Sequence, residues 1–293
     1  MLILISDAFD ASLPDRLREF GEVTDDKGRV GEAEVVLIRS KTKCTAEYMA
    51  AAPQLKLIIR GGVGLDNVDR EHAQKKGIRV VNTPDASSVA VAELAVSLML
   101  AAVSHLVRGH NGMAEGKWLK KEIKRTELYG KTLGLIGIGR IGTAVARRVK
   151  AFEAEVVGYD PFVKSHEVVR LAGLDEVVAQ SDILSLHAPL TDETRNLLDA
   201  TRLSQCKKGA IVVNTGRGGC VDERAMTDAL NSGQVSCYAT DVWSSDPPPA
   251  DCPLLRAPNV LMTPHIGASS RENLLRIGDE VVRQVRQHTS ERQ

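Results

Sequence analysis

The segment that most restricts the fold of this chain is LGLIGIGRIG, residues 133–142, in which an apolar run leads into closely spaced glycines. Gly137, Gly139 and Gly142 follow the spacing G-x-G-x-x-G, and a helical pattern extends over residues 140–152. In a strand–turn–helix unit, such glycines permit a tight turn and close approach of a pyrophosphate to the helix N-terminus. The segment therefore predicts a dinucleotide site, and a glycine-rich turn without a ligand is the simpler alternative.

An acidic residue in the expected place favours the dinucleotide site. The next apolar run, residues 155–159, is followed by Asp160. A carboxylate about twenty residues beyond the glycines can accept hydrogen bonds from the adenosine ribose hydroxyls. The same negative charge repels the 2′-phosphate of NADP. The sequence therefore predicts NAD as the cofactor.

Apolar runs of strand length alternate with helical patterns along the chain, which is typical of parallel sheets covered by helices. The predicted strands are residues 2–5, 35–38, 57–59, 80–81, 132–137, 155–159, 183–187, 210–214, 235–240 and 260–263. A chain of 293 residues exceeds what one hydrophobic core usually supports. We predict an NAD-binding domain over residues 87–266 and a discontinuous substrate-binding domain made of residues 1–86 and 267–293.

Composition argues against several classes of partner. Lys plus Arg equals Asp plus Glu at 38 each, so the chain lacks the overall charge that attracts nucleic acid or an anionic membrane. The apolar stretch 88–107 contains Glu93 and further polar residues, which predicts a buried helix between domains rather than a membrane span. Five scattered cysteines, without Cys-x-x-Cys or histidines at metal spacing, predict a reduced cytoplasmic protein without a metal site.

Three polar segments directly follow predicted strands: NTGRGG at 214–219, DVWSSDPPP at 241–249 and TPHIGAS at 263–269. Ligands of open α/β sheets bind beyond the carboxyl ends of strands, so we expect these segments to converge on the cofactor. Arg217 lies between glycines, and a guanidinium can hold a carboxylate through two hydrogen bonds. The imidazole of His265 can take and return a proton near neutral pH. A surface salt bridge and a structural histidine are the simpler alternatives.

Together these residue types fit the oxidation of a secondary alcohol, which needs a base, a cation that orients the acid group, and a nicotinamide that takes a hydride. We predict that His265 is the base and Arg217 the cation. An acid should orient the imidazole and stabilise its charged form. Asp246 is the best-placed candidate, and Asp251 is the second.

Two further segments have possible binding roles. In RGGVGLDNVD, residues 60–69, the backbone of Gly62, Val63 and Gly64 could form a nest for a substrate carboxylate, and a purely structural turn is the alternative. A basic cluster surrounds Trp118, and a solvated face is the more common explanation for such a run. Its members are Lys117, Lys120, Lys121, Lys124 and Arg125.

In order along the chain, these segments resemble those of the D-isomer-specific 2-hydroxyacid dehydrogenases. The matching segments include RGGVGLDNVD, VVNTP, LYGKTLGLIGIGRIG, GYDP, LHAPLT, CKKGAIVVNTGRGG, ATDVW and TPHIGAS. The resemblance covers nearly the whole chain. It implies an α/β fold of two Rossmann-like, doubly wound parallel-sheet domains, an active site in the cleft between them, and a homodimer built on the cofactor domains.

The resemblance also implies roles for individual residues. Arg217 would bind the substrate carboxylate, His265 would be the acid/base, and Asp241 would contact the nicotinamide carboxamide. The other cofactor-binding positions would be Gly137, Gly139, Arg140, Ile141, Gly142, Asp160, Ala188, Pro189, Thr215, Gly216, Gly267 and Ala268. Arg39, Arg60 and Lys120 or Lys121 would receive a phosphate, which favours 3-phosphoglycerate as substrate over glyoxylate or hydroxypyruvate.

The chain departs from the family pattern at two positions. Asp246 stands where glutamate is usual, and Gly216 where a small residue other than glycine is usual. The missing methylene withdraws the carboxylate by roughly 1.3–1.5 Å, about one C–C bond. A direct bond to His265 would then require a shift of the loop, which Pro247–Pro249 restrict. The chain ends after its last predicted helix, so we expect no carboxyl-terminal regulatory domain.

Two alternative functions follow from the same residues. A glyoxylate or hydroxypyruvate reductase would use the same machinery on an unphosphorylated substrate. An NAD(H)-sensing interaction protein would keep the fold and the cofactor without turnover. The shortened acid at Asp246 favours this second alternative, and the retention of Arg217 and His265 argues against it.

Overall fold

The computed structural model describes residues 1–291 and contains two compact units. One unit comprises Met1–Ala90 together with the chain from Ala268 onward, and the other comprises Val91–Gly267. Residues 292 and 293, the end of the predicted substrate-binding domain, lie outside the described residues.

The strands and helices follow one another in the alternation that the sequence predicts. In chain order they are β1 (Leu2–Ile5), α1 (Leu13–Leu17), β2 (Glu22–Thr24), β3 (Val35–Ile38), α2 (Ala46–Ala50), β4 (Leu57–Arg60), α3 (Arg70–Lys75), β5 (Arg79–Asn82), α4 (Pro84–Ser104), α5 (Leu106–Ala114), β6 (Thr132–Ile136), α6 (Arg140–Lys150), β7 (Glu155–Tyr159), β8 (Arg170–Leu171), α7 (Leu174–Gln180), β9 (Ile183–Leu186), α8 (Ala200–Gln205), β10 (Ala210–Asn214), α9 (Glu223–Asn231), β11 (Val235–Thr240), β12 (Val260–Met262) and α10 (Arg271–Ser290). Short 3-10 helices cover Lys27–Glu32, Gly218–Cys220 and Pro253–Leu255.

The first unit is built on a five-stranded parallel sheet in the order β2-β1-β3-β4-β5. All four residues of β3 are buried, because apolar clusters cover both faces of the sheet. The strand order reverses between β1 and β3. There Asp7, which follows β1, accepts a hydrogen bond of 2.6 Å from the backbone N–H of Arg39, which follows β3.

The second unit is built on a seven-stranded parallel sheet in the order β12-β11-β10-β9-β6-β7-β8. In β10, Ala210 and Val212 face one apolar cluster while Ile211 and Val213 face the other. The strand order reverses between β6 and β9, which is where doubly wound sheets bind ligands. The predicted α/β class, with two doubly wound parallel sheets, is confirmed.

The long apolar helix α4 begins and ends earlier than the predicted range 88–107. His105 has a left-handed backbone (φ 50°), which ends α4 at Ser104 before α5 begins. By length and mean hydropathy (1.9) this helix could cross a membrane, but 56% of its apolar window is buried within the protein. Ala92, Ala95 and Met99 are fully buried in the core of the second unit. These contacts identify α4 as a core helix.

Candidate active site

The glycine turn after β6 has the backbone geometry that its sequence predicts. Gly137 has φ of +93°, and a Cβ atom there would lie 2.8 Å from the backbone nitrogen of Ala188. At Gly142 a Cβ atom would lie 2.2 Å from the carbonyl oxygen of Gly137. Side chains are therefore excluded at both positions, because the turn packs against the chain that leaves β9 and against the first turn of α6.

The middle glycine differs from its neighbours because its missing side chain leaves open space. A Cβ atom at Gly139 would meet no atom within 4 Å, and Gly139 is the N-cap of α6. The N-terminus of the eleven-residue helix α6 is therefore not covered by a side chain at its N-cap position. It lies where the strand order of the sheet reverses. A pyrophosphate is a suitable ligand here, because helix N-termini bind anions through free N–H groups and the helix dipole.

Asp160, at the end of β7, ties the glycine turn to the following segment. Its Oδ2 accepts a hydrogen bond from the backbone N–H of Ile138, and its Oδ1 accepts one from Phe162, both at 2.9 Å. Each carboxylate oxygen keeps a second lone pair that can accept a ribose hydroxyl. The residues after β6 and β7 therefore fit an adenine dinucleotide without a 2′-phosphate.

The loop after β10 carries Arg217 and is held by the buried Asn214, the first residue of the segment NTGRGG, for which the sequence predicted no separate role. The Asn214 side chain donates to the carbonyl of Arg217 at 3.0 Å and to the Tyr238 hydroxyl at 3.3 Å. Its Oδ1 accepts the N–H of Gly216 at 3.0 Å. The Arg217 guanidinium donates from Nη1 to the Gly216 carbonyl at 2.7 Å. Asn214 thereby fixes the backbone that carries the candidate carboxylate-binding arginine.

His187 holds the same loop from the neighbouring strand. Its ring nitrogens lie 3.0 Å from the Ser185 hydroxyl and 3.4 Å from the Thr215 hydroxyl. Burial lowers the pKa of His187 to about 4, so the imidazole is neutral near pH 7. In the sequence, His187 ends the predicted strand 183–187 and belongs to LHAPLT, but one histidine in an apolar segment gives no signal of its contacts.

Asp241, at the end of β11, binds the turn that carries His265. Its carboxylate accepts hydrogen bonds from the Thr263 hydroxyl at 2.6 Å and from the N–H groups of Ile266 and Gly267 at 2.8 Å each. The side chain is almost completely buried, with 2% exposure. Asp241, which the family resemblance predicts to contact nicotinamide, therefore also stabilises the turn that carries the candidate base His265.

His265 and Asp246 are in direct contact, although the missing methylene of Asp246 had made a direct bond depend on the position of the loop. Nδ1 of His265 is hydrogen-bonded to Oδ2 of Asp246. The two side chains are 32% and 40% exposed. Since a carboxylate can only accept, Nδ1 carries the proton and Nε2 presents a lone pair. Within residues 1–291, Nε2 has no hydrogen-bond partner.

Contacts with the Arg217 loop and the His265 turn explain the path of the Asp246 loop. A Cβ atom on Gly218 would lie 2.1 Å from the carbonyl carbon of Trp243, so these two backbones touch directly. The Trp243 indole donates to the carbonyl of Thr263 at 3.2 Å. Glu223 accepts hydrogen bonds from the Ser244 N–H and the Cys252 thiol, both at 3.4 Å. These contacts place Asp246 within reach of His265.

In the first unit, Arg39 extends from the carboxyl end of β3 and is half-buried. Its guanidinium donates to the carbonyl of Ala268 at 2.9 Å and to that of Ala8 at 3.5 Å. Burial lowers the pKa of Arg39, although the charge of Asp7 opposes this shift. Nε of Arg39 is buried without a hydrogen-bond partner in the described part of the chain. The two hydrogen bonds use only one N–H of each terminal nitrogen, so the guanidinium retains N–H donors that can bind a further acceptor.

Arg60 ends β4, the strand next to β3, and its side chain lies against the glycine-rich turn. A Cβ atom on Gly62 would lie 1.6 Å from Nη1 of Arg60, so only glycine permits this contact. The Gly62 N–H donates to the Thr83 hydroxyl at 2.7 Å and is therefore not part of an anion nest. The N–H groups of Val63 and Gly64 make no hydrogen bond within residues 1–291, so the predicted nest is reduced to these two.

The remaining predicted residues have simpler surroundings. Ala188 is buried beside the glycine turn, while the carbonyl of Pro189 accepts from the Thr194 hydroxyl at 2.7 Å. Ile141 and Arg140 lie in the first turn of α6. Lys120, Lys121 and Asp251 are exposed, and within residues 1–291 the carboxylate that pairs with His265 is Asp246 and not Asp251. Within residues 1–291, no group of three metal-binding side chains occurs.

Comparison with known proteins gives one consistent result. Residues 96–267 match the sequence profile of the D-isomer specific 2-hydroxyacid dehydrogenase, NAD binding domain. The chain is 45% identical over 259 residues to a hydroxypyruvate reductase of Thermotoga maritima, covering 87% of this chain and 85% of that protein. It is 41% identical over 297 residues to a D-3-phosphoglycerate dehydrogenase of Methanocaldococcus jannaschii, covering 97% of this chain and 56% of that protein.

Solved structures resemble the chain over almost its full length. A D-lactate dehydrogenase from Aquifex aeolicus, complexed with NAD and lactic acid, superposes with a TM-score of 0.90 at 30% identity. This match covers 99% of this chain and 96% of the other. By contrast, the chain spans only 48–56% of the length of the phosphoglycerate dehydrogenases from two archaea that it matches in sequence.

Proposed function

This chain belongs to the D-isomer-specific 2-hydroxyacid dehydrogenase family, whose members are NAD-dependent oxidoreductases, and we propose that it oxidises D-3-phosphoglycerate to 3-phosphohydroxypyruvate. The observation that best supports dehydrogenase activity is the hydrogen bond between Asp246 and Nδ1 of His265, which leaves Nε2 of His265 able to accept a proton. The phosphorylated substrate is supported by two arginines at neighbouring strand ends of the first unit, Arg39 and Arg60.

The proton transfer belongs to His265. Nε2 takes the proton of the substrate hydroxyl during oxidation and returns it during reduction. The imidazolium that forms donates its Nδ1 proton to Asp246, whose negative charge stabilises it. The turn shaped by Asp241 keeps the ring in place throughout, so little reorganisation accompanies the transfer.

Arg217 orients the substrate. A guanidinium can hold the substrate carboxylate through two parallel hydrogen bonds, and its positive charge favours polarisation of the developing carbonyl oxygen. The NAD that the glycine turn and Asp160 would hold supplies the hydride acceptor when bound. Asn214 keeps the Arg217 backbone fixed, so the position of the guanidinium follows from the folded loop.

The proposed phosphate site consists of Arg39 and Arg60. Ile38 at the end of β3 pairs in register with Arg60 on β4, so the two arginines leave adjacent strands at the same edge of the sheet. The N–H groups of Val63 and Gly64 add donors beside them. Two guanidinium groups and free backbone donors suit a dianionic phosphate better than a neutral hydroxymethyl group.

Steady-state kinetics with NADH tests this substrate. We expect phosphohydroxypyruvate to exceed hydroxypyruvate in kcat/KM for the unaltered protein. Arg60→Ala should raise the KM for phosphohydroxypyruvate about tenfold or more, the loss of one charged hydrogen bond, and leave hydroxypyruvate nearly unaffected. Arg70→Ala, an exposed arginine on α3, is the control. Equal kcat/KM values in the unaltered protein would make the substrate proposal wrong.

The hydroxypyruvate reductase alternative has its own support, since the relative from Thermotoga maritima carries that name. The same kinetic comparison decides between the two substrates. A non-catalytic NAD(H) sensor is less well supported, because Asp246 is hydrogen-bonded to His265 despite its shorter side chain. Binding of NADH without turnover of any 2-oxo acid would restore the sensor alternative.

We also propose that the chain forms a homodimer through the second unit. Leu106 and Met113 are seven residues apart on α5, therefore on one face, and their exposures are 58% and 59%. Trp118 and Tyr129, in the segment that follows, are exposed by 73% and 66%. Large apolar side chains concentrated in one segment are typical of a protein interface.

A further inference from the structure

A cavity of about 360 Å³ lies at the amino-terminal edge of the seven-stranded sheet, where β6, β9, β10 and β11 begin. Four lysines line it, and they reach it from separate segments. Lys207 and Lys208 precede β10, Lys131 precedes β6, and Lys124 lies in the chain between α5 and β6. His105, at the break between α4 and α5, completes the polar rim.

The charges around this cavity do not balance. Its carboxylates are Asp182 and Glu127, so four lysines face two acids in a chain whose formal net charge is zero. Lys207 pairs with Asp182 at 3.0 Å. Lys124, Lys131 and Lys208 form no ion pair within residues 1–291. The cavity therefore carries an excess of positive charge over negative charge.

Asp182 is already bound and does not neutralise the other lysines through contact. Its Oδ2 accepts the Thr132 N–H at 2.8 Å, and its Oδ1 accepts from Lys207. Burial alone would raise the pKa of Asp182, but these two donors and the positive charges of Lys207 and Lys131 lower it below its usual value, so the carboxylate stays ionised. These contacts with Thr132 and Lys207 therefore fix the position of the Asp182 carboxylate.

The inner wall of the cavity is apolar and chemically inert. Val103, Ile211 and Cys237 line it and are almost completely buried. Burial raises the pKa of the Cys237 thiol to about 12, so it stays protonated and uncharged. A ligand that suits this cavity carries a compact anionic group toward the lysines and a small apolar body toward the wall.

We propose that this cavity binds the phosphate group of a small phosphorylated molecule, at a site separate from the cofactor and substrate sites. Ammonium groups are compact point charges with three donors each, and a phosphate has enough oxygen atoms to accept from several of them at once. The volume lies at the lower end of small-molecule sites, which begin at roughly 300 Å³.

The site is separate from the glycine turn because the strands are parallel. The glycine turn follows the carboxyl end of β6, whereas Lys131 precedes its amino end. Five residues of strand separate the two by roughly 16 Å. An anion in the cavity therefore leaves the cofactor site open, and both ligands can bind to the same molecule.

Calorimetric titration with inorganic phosphate and pyrophosphate, on protein saturated with NADH and at constant ionic strength, tests the proposal. The variants are Lys131→Gln/Lys208→Gln, Lys75→Gln as a lysine control outside the cavity, on α3, and Arg60→Ala, which removes part of the proposed substrate phosphate site. We expect the double variant to bind at least about tenfold more weakly, since two charged hydrogen bonds are lost. The two single variants should retain this binding.

Turnover of 2-oxo acids by the double variant should remain unchanged, which also shows that it is folded. Absence of phosphate and pyrophosphate binding to the unaltered protein at millimolar concentration would overturn the proposal. An unchanged affinity in the double variant would overturn it as well. Loss of the same binding in Arg60→Ala would assign the anion to the substrate site and overturn the separate cavity, whatever the substrate proves to be.

Discussion

His265 occupies a backbone conformation that is uncommon for a residue with a side chain, with φ of +54°. A left-handed conformation costs about 1–2 kcal/mol, and neighbouring contacts must offset that cost. Asp241 supplies them by accepting two backbone N–H groups and one hydroxyl from the same turn. A buried carboxylate thus holds the candidate base in place, while a second carboxylate, Asp246, holds its ring.

The role of Asp246 can be separated from that of the substrate-binding groups. In Asp246→Asn the side chain keeps its size but loses the charge that stabilises the His265 imidazolium. We expect kcat to fall about 10²-fold, the lower end of acid–base contributions, with little change in KM because Asp246 orients the base and does not bind substrate. Steady-state kinetics with NADH and the preferred 2-oxo acid measures both constants.

The conservative change provides the control. Asp246→Glu restores the charge with one more methylene, and the half-exposed loop can accommodate it, so activity should stay within about threefold, less than 1 kcal/mol. An Asp246→Asn protein with unaltered kcat would remove this carboxylate from the mechanism. A larger loss in Asp246→Glu than in Asp246→Asn would show that geometry, and not charge, is the limiting property.

At the scale of elements, the loops after β10 and β11 pack directly against each other, because Gly218 has no side chain to separate their backbones. In Gly218→Ala the added Cβ would meet the carbonyl of Trp243 at about 2 Å, and the loop bearing Asp246 would have to move. We expect a loss of about 1–3 kcal/mol from overpacking, together with a reduced kcat. Thermal unfolding and kinetics measure the two effects.

Gly109→Ala is the matched control for this substitution. Gly109 lies within α5, and a Cβ there would be 3.6 Å from Ile123, an ordinary contact. Alanine is the better helix former, so this variant should be no less stable than the unaltered protein. Similar stability and kcat for the unaltered protein and Gly218→Ala would show that the loop adjusts freely, contrary to the packing described above.

His187 links the ends of β9 and β10 and gives the protein a defined acid sensitivity. Its folded pKa of about 4 lies below the value of about 6.5 for an unfolded histidine. Between these pH values only the unfolded chain binds the proton, so the free energy of unfolding falls as the pH is lowered. The stability that the neutral His187 contributes is fully present above pH ~6.5. Below that pH the free energy of unfolding decreases by at most ~1.4 kcal/mol per pH unit because of this residue.

Denaturant unfolding between pH 4.5 and 7.5 checks this dependence. His187→Gln keeps an acceptor and donors near Ser185 and Thr215 but cannot take up a proton in this range. The variant should therefore lose less stability than the unaltered protein on acidification, even if its stability at pH 7 is lower. Parallel curves for the two proteins would mean that His187 does not titrate between the folded and unfolded states.

The elements that the sequence predicts are those with long apolar runs, and the missed ones are short. β8, Arg170–Leu171, has two residues, and β2, Glu22–Thr24, has three and no buried one, so neither gives a periodic signal. The contact between Asp246 and His265 could not be predicted from side-chain length. It depends on the loop path, which contacts of Gly218, Trp243 and Glu223 determine, and these are distant in sequence.

At the scale of the whole molecule, charge and apolar surface are distributed unevenly. The formal net charge is zero, yet the cavity lysines and the Arg39–Arg60 pair concentrate positive charge in two separate places. Exposed apolar side chains are likewise concentrated in α5 and the segment after it, among them Leu106, Met113, Trp118 and Tyr129. The two concentrations of positive charge favour the binding of anionic ligands. The exposed apolar segment favours contact with a second copy of the chain.

The homodimer proposal predicts a measurable mass and a specific way to change it. Light scattering after size exclusion should give about twice the chain mass of 31.7 kDa. Leu106→Glu/Met113→Glu places two charges on the exposed face of α5, where burial without partners is costly, so the variant should be monomeric at micromolar concentration. Leu275→Glu, at a 41% exposed leucine of α10 in the first unit, is the control and should remain dimeric. A monomeric unaltered protein would refute the dimer, and a dimeric double variant would place the interface on another surface.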